Sequence, residues 1–85
     1  MMETTEVREE VRVLAAFAGG TVRPVRFKWR ERSYAVTGVN GQWREREEEA
    51  EVWHFSVEAA GGTWFLHVSC RDWIWWLDEV VAAEG

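Results

Sequence analysis

The stretches Val25-Arg26-Phe27-Lys28-Trp29-Arg30, Val52-Trp53-His54-Phe55-Ser56-Val57 and Trp64-Phe65-Leu66-His67-Val68 decide the fold. Each alternates apolar and polar residues, and a period of two marks a strand with one buried face. The chain has 85 residues, seven of them tryptophan, so the expectation is one small all-β domain with an aromatic core. A domain this short buries only about 60% of its unfolded surface. Large rings offset that handicap, because each removes roughly 150–250 Å² from water.

Working outward, residues 10–17 read as a strand with Val11, Val13, Ala15 and Phe17 on one face. A helix competes over residues 5–15, since Val7, Val11, Leu14, Ala15 and Ala18 also stand at helical spacing. Ala18-Gly19-Gly20 ends this element, and Pro24 opens the next. With Glu31-Arg32 as a tight turn, Trp29 faces Tyr34 and Phe27 faces Val36 on one side of a hairpin, with Val25 inward as well. Gly38-Val39-Asn40-Gly41 bends the chain again, ahead of a short piece at Gln42-Trp43-Arg44.

The run from Arg44 to Glu51 reads as a charged, flexible connector, and residues 1–6 as a flexible terminus. A second hairpin, Val52–Ala59 with Thr63–Cys70, is expected to turn at Gly61-Gly62. Trp73-Ile74-Trp75-Trp76-Leu77 is apolar on both faces, as in a central strand or an interface. Asp78–Glu84 either continues that strand or forms a short helix. The sum is five or six mostly antiparallel, meandering strands in a bent sheet or half-barrel. The expected core is Val13, Phe27, Trp29, Tyr34, Val36, Trp53, Phe55, Val57, Trp64, Leu66, Val68 and Trp75.

A single cysteine forms no internal disulfide, the amino terminus has no signal-peptide character, and no apolar run approaches the roughly 20 residues of a membrane span. These features fit a cytoplasmic protein without a membrane partner. The net charge of −5 is unevenly spread. From Arg23 to Arg46 seven basic residues stand against two acidic ones, so that segment is +5 and the remainder −10.

Catalytic chemistry finds little support. Gly19-Gly20 and Gly61-Gly62 lack the helix and lysine of a phosphate loop. The carboxylates cluster where water keeps them ordinary, and Cys70 alternates inward with Leu66 and Val68 as an inert thiol. His54 and His67 share a face at a diagonal, which invites a metal or a pH switch, but no third ligand is evident; half-buried histidines are the ordinary reading. No cofactor is called for. The functional lead is the basic set Arg26, Lys28, Arg30, Arg32, Arg44 and Arg46, which suits a phosphate backbone or an acidic protein. Trp43, Phe65 and Trp76 fall out of phase with the core and are candidates for an apolar interface. The partner expected is a protein or a second copy of the chain, with nucleic acid as a further candidate through the basic sheet face.

The hairpin Phe27-Lys-Trp29-Arg30-Glu-Arg32-Ser-Tyr34-Ala-Val36 precedes the lone Trp43, the strand Trp53-His54-Phe55-Ser56-Val57-Glu58, Gly62-Thr63-Trp64-Phe65-Leu66 and the closing Trp73–Leu77. This order resembles a small bacterial domain family of unknown function. It is also similar to the carboxy-terminal domain of catalytically dead, Y-family-polymerase-like subunits of mutagenic repair assemblies. Glu31 stands where that pattern often has glycine. The resemblance implies an accessory module near DNA transactions and carries no catalytic residue across.

Overall fold

The computed structural model describes residues 2–83 as a single antiparallel sheet of seven strands. In chain order these are β1 (Met2–Ala18), β2 (Thr21–Trp29), β3 (Arg32–Ala35), β4 (Gly38–Glu47), β5 (Ala50–Ala59), β6 (Gly62–Ser69) and β7 (Trp75–Ala83). Across the sheet they run β3-β2-β1-β7-β6-β5-β4. Seven strands replace the five or six expected. Among the described residues there is no helix, because β7 carries the strand through Asp78 to Ala83. Glu84 lies outside the described residues. None of the described residues forms a helix long and apolar enough to cross a membrane.

The sheet is strongly bent. A flat sheet would separate β2 from β6 by about 14 Å, three strand spacings. Instead the rings of Phe27 and Trp64 meet at 5.1 Å, and Tyr34 lies 4.6 Å from Trp64. The short link between β3 and β4 demands this. These strands occupy opposite edges, yet only Val36 and Thr37 join them, and such a link spans at most about 11 Å. Val36 N–H donates to Val25 O and Thr37 N–H to Glu58 O, so two residues tie β2 to β5. The edges approach at one end and stay unpaired along the rest.

The concave face holds the core: Phe27, Phe55, Val57, Leu66, Val68 and Leu77 are almost fully buried, beside Val11, Val22, Ala59, Trp64 and Trp75. Val13, Trp29, Tyr34, Val36 and Trp53 pack around its margin instead of at its centre. Trp29 and Trp53 keep one edge in water because their indole N–H groups donate to Glu9 and Glu51.

Four hairpins turn on two residues each, and both central residues have positive φ: Gly19-Gly20, Arg30-Glu31, Glu48-Glu49 and Ala60-Gly61. That geometry matches the twist of the flanking strands. It also shifts two expected registers. The first hairpin turns at Arg30-Glu31, so Phe27 faces Tyr34 and Trp29 faces Arg32. The second turns at Ala60-Gly61, so Val57 faces Trp64 and Phe55 faces Leu66. Gly62 then lies in β6, where a Cβ would come within 3.1 Å of Val81 O. The expected connector 44–51 is the closing end of the β4–β5 hairpin, and residues 2–6 extend β1 along β7. Met1 lies outside the described residues.

The helical alternative for residues 5–15 gives way to strand, because β1 ladders with β7 in its first half and β2 in its second. β2 starts at Thr21 instead of Pro24. Leu14 faces Arg26 while Ala15 faces Pro24, which leaves Val25 as the extra residue of a bulge. Val25 therefore points outward, 41% exposed, and Pro24 is buried at a position where its missing N–H is tolerated.

Candidate functional site

With most of the concave face filled by the core, the convex face carries the histidines and the exposed cations of β1–β2. Its two halves differ.

Over β4–β7, successive ladder pairs align Trp43, His54, His67 and Trp76 in one transverse row. Trp43 stacks on His54 at 5.2 Å with 4° between planes, and His67 lies 6.5 Å from Trp76 at 12°. The two imidazoles sit directly opposite each other, centroids 5.6 Å apart, not at the diagonal the shifted register implied. Trp43 and Trp76 remain 43% and 37% exposed at the ends of the row. Phe65 stands two residues along β6 from His67 and is half-buried. The three out-of-phase aromatics thus share this face, but histidines separate the two tryptophans.

Beside the row lies a shallow depression of about 510 Å³, with Glu6, Glu47, His54, His67, Asp78 and Glu79 among its walls. Asp78 is the bulged residue of β7, lying between the pairs Phe65–Glu79 and Leu66–Leu77. Both its oxygens approach His67 Nδ1, at 2.8 and 2.9 Å. That hydrogen bond raises the imidazole pKa above its ordinary value, against the opposing effect of burial. His54 Nε2 is shut off from solvent and has no hydrogen-bond partner among the described residues; Glu45 Oε2 lies 3.5 Å away.

Over β1 and β2 the convex face is basic. Arg12 pairs across the ladder with Lys28, Leu14 with Arg26, and Ala16 with Arg23. All four cations are exposed. Among the described residues none has a carboxylate within ion-pair distance, whereas Arg8, Arg30 and Arg44 do. A groove of about 240 Å³ runs between Arg12, Arg26 and Lys28 over Leu14 and Ser33.

The six basic residues singled out from the sequence do not form one surface. Arg26 and Lys28 stay together. Arg30 is drawn into the turn, where it grips Glu9 at 2.5 Å and lies 4.6 Å over Trp29. That pairing holds the Glu9 carboxyl below its ordinary pKa and Arg30 above its own. Arg32 faces Trp29 on the concave side of the edge strand. Arg44 covers Trp53 at 4.5 Å and approaches Glu51, with Arg46 two residues on along the opposite edge. Arg12 was missed because it precedes the basic segment in sequence and joins it only through the β1–β2 ladder. Cys70 is half-buried, and burial pushes its thiol pKa up.

The molecule is thus a small open-sheet β domain whose convex face is acidic and imidazole-bearing on one half and basic on the other. It belongs to the family described as a domain of unknown function, DUF6504, whose model matches residues 2–77. No curated protein and no solved structure matches the chain.

Proposed function

We propose that the domain is a non-catalytic binding module that docks on a nucleic-acid strand through the convex face of β1–β2. The observation carrying this reading is the set Arg12, Arg23, Arg26 and Lys28, left without ion pairs among the described residues although the chain has 15 acidic side chains against 10 basic ones. A solvated face in so acidic a protein would ordinarily recruit glutamates, as Arg30 recruits Glu9. Exposed cations around a shallow groove instead suit phosphates, whose counterions are released on contact. The similarity to accessory domains of repair assemblies is consistent with such a role.

Self-association is the second reading. It is favoured by the exposed Phe17, whose ring lies 6.1 Å from that of Trp73, beside exposed Ile74.

Fluorescein-labelled single-stranded DNA titrated across a salt series separates the readings, with sedimentation on the same samples. Four phosphate contacts give a slope of log affinity on log salt of about −3. Absence of binding at low salt contradicts the nucleic-acid reading, and a concentration-dependent dimer supports the second.

A further inference from the structure

We propose that His54, His67 and Asp78 form a binding site for a zinc-class divalent metal ion on the convex face of β5–β7. The site is independent of the basic half and of the function proposed for it.

Three features converge. One nitrogen from each histidine and one oxygen of Asp78 lie within 4.8 Å of one another. In a tetrahedral site with bonds of about 2.0–2.2 Å, neighbouring donors stand roughly 3.3–3.5 Å apart. Shifts of about an ångström close that gap, and the half-buried side chains can make them by small χ rotations. The chemistry of the set is also right, since two imidazoles and a carboxylate select zinc-like ions over magnesium or calcium, which prefer all-oxygen shells. Finally, the ladder has already positioned the donors. His54 and His67 are a direct cross-strand pair, and the β7 bulge delivers Asp78 to the same place. Holding them there costs little further conformational entropy.

The surroundings suit a cation as well. Glu45 and Glu47 form an overlapping group with His54 within the same 4.8 Å spread. The nearest cation on the rim, Arg8, is already paired with Glu6 at 2.6 Å. The buried His54 Nε2, which has no hydrogen-bond partner among the described residues, lies at the junction of the two groups. A metal ion would supply what that environment lacks.

The untagged chain, stripped with a chelator, is titrated with ZnCl2 by calorimetry in excess MgCl2, and with CoCl2 by visible absorption. The expected result is one zinc per chain, undiminished by magnesium, and the intense visible bands of low-coordinate cobalt. His54→Gln, His67→Gln and Asp78→Asn should each weaken zinc binding by at least about tenfold, with circular dichroism unchanged. Should a variant lose its fold, the wild-type protein still decides the matter. One equivalent of zinc must shift the ring nitrogen resonances of both histidines in NMR spectra. The proposal is overturned by absence of saturable binding, by binding that survives the double histidine variant, or by histidine resonances that stay in place.

Discussion

The two halves of the convex face share one continuous ladder, yet they handle charge in opposite ways. Over β4–β7 aromatic and imidazole rings stack edge-up in a row, and carboxylates gather beside them. Over β1–β2 four cations stand exposed, three of them, Arg12, Arg26 and Lys28, around a shallow groove. The hinge between them is Glu10, which pairs with Trp76 on β7 and lies two residues before Arg12. The contrast shows that net charge is a poor guide to how charge is distributed over this protein's surface. A chain of −5 presents one surface suited to cations and another suited to anions.

The largest effect should come from removing the support that both halves share. Trp64 contacts Phe27, Trp29 and Tyr34 across the bend, and its indole N–H donates to Ala59 O. Trp64→Ala should cost about 3–5 kcal/mol, a large part of a small domain's stability. Chemical denaturation measures it, and a loss under about 1 kcal/mol would contradict the core described here. Trp29→Ala, at the core margin, should cost less.

Splitting the halves comes next. Arg26→Glu with Lys28→Glu should weaken DNA binding by more than about tenfold and reduce the salt slope by about 1.4, the share of two single-strand contacts. Zinc affinity should not change. Equal losses at both sites would mean that the halves are not separate.

A smaller effect tests the turn that ends the basic half. Arg30 and Glu31 have φ of 49° and 68°, in the left-handed region that favours glycine. Glu31→Gly should stabilise the domain by about 0.5–1 kcal/mol in denaturant titration. Destabilisation would contradict a left-handed backbone at Glu31.

The smallest effect concerns acid. Arg30 and Trp29 hold the Glu9 pKa below its unfolded value, so its contribution is present above the unfolded pKa and fades as pH falls through the folded one. Glu9→Gln should therefore flatten the acid limb of the stability–pH curve. An unchanged limb would show that the pairing contributes nothing.

How much of this was legible in the sequence follows from the same turns. The alternation at Phe27, Phe55, Val57, Trp64, Leu66 and Val68 correctly identified one sheet face as core, because period two survives any register. Register itself was harder, since two-residue turns usually announce themselves through Asn-Gly or Gly-Gly. Here Arg30-Glu31 and Glu48-Glu49 adopt the same geometry without glycine, and Ala60-Gly61 displaces the expected Gly61-Gly62. Each slip of the turn by one residue moved cross-strand partners by two, which hid the direct His54–His67 pair. The bulges at Val25 and Asp78 were equally silent, and the second brings a carboxylate against His67 that the alternation did not reveal. The basic hairpin was visible as a charge run, but only the ladder joins Arg12 and Arg23 to Arg26 and Lys28 and separates Arg30, Arg32, Arg44 and Arg46 from them.

The most direct test of a divided convex face is an amide NMR titration of one labelled sample, first with a single-stranded oligonucleotide and then with ZnCl2. The account predicts two separate sets of shifts. The oligonucleotide should move amides near Arg12, Arg23, Arg26 and Lys28, and zinc those near His54, His67 and Asp78. An oligonucleotide that instead perturbs the Trp43–Trp76 row, or leaves β1 and β2 unmoved, would contradict it.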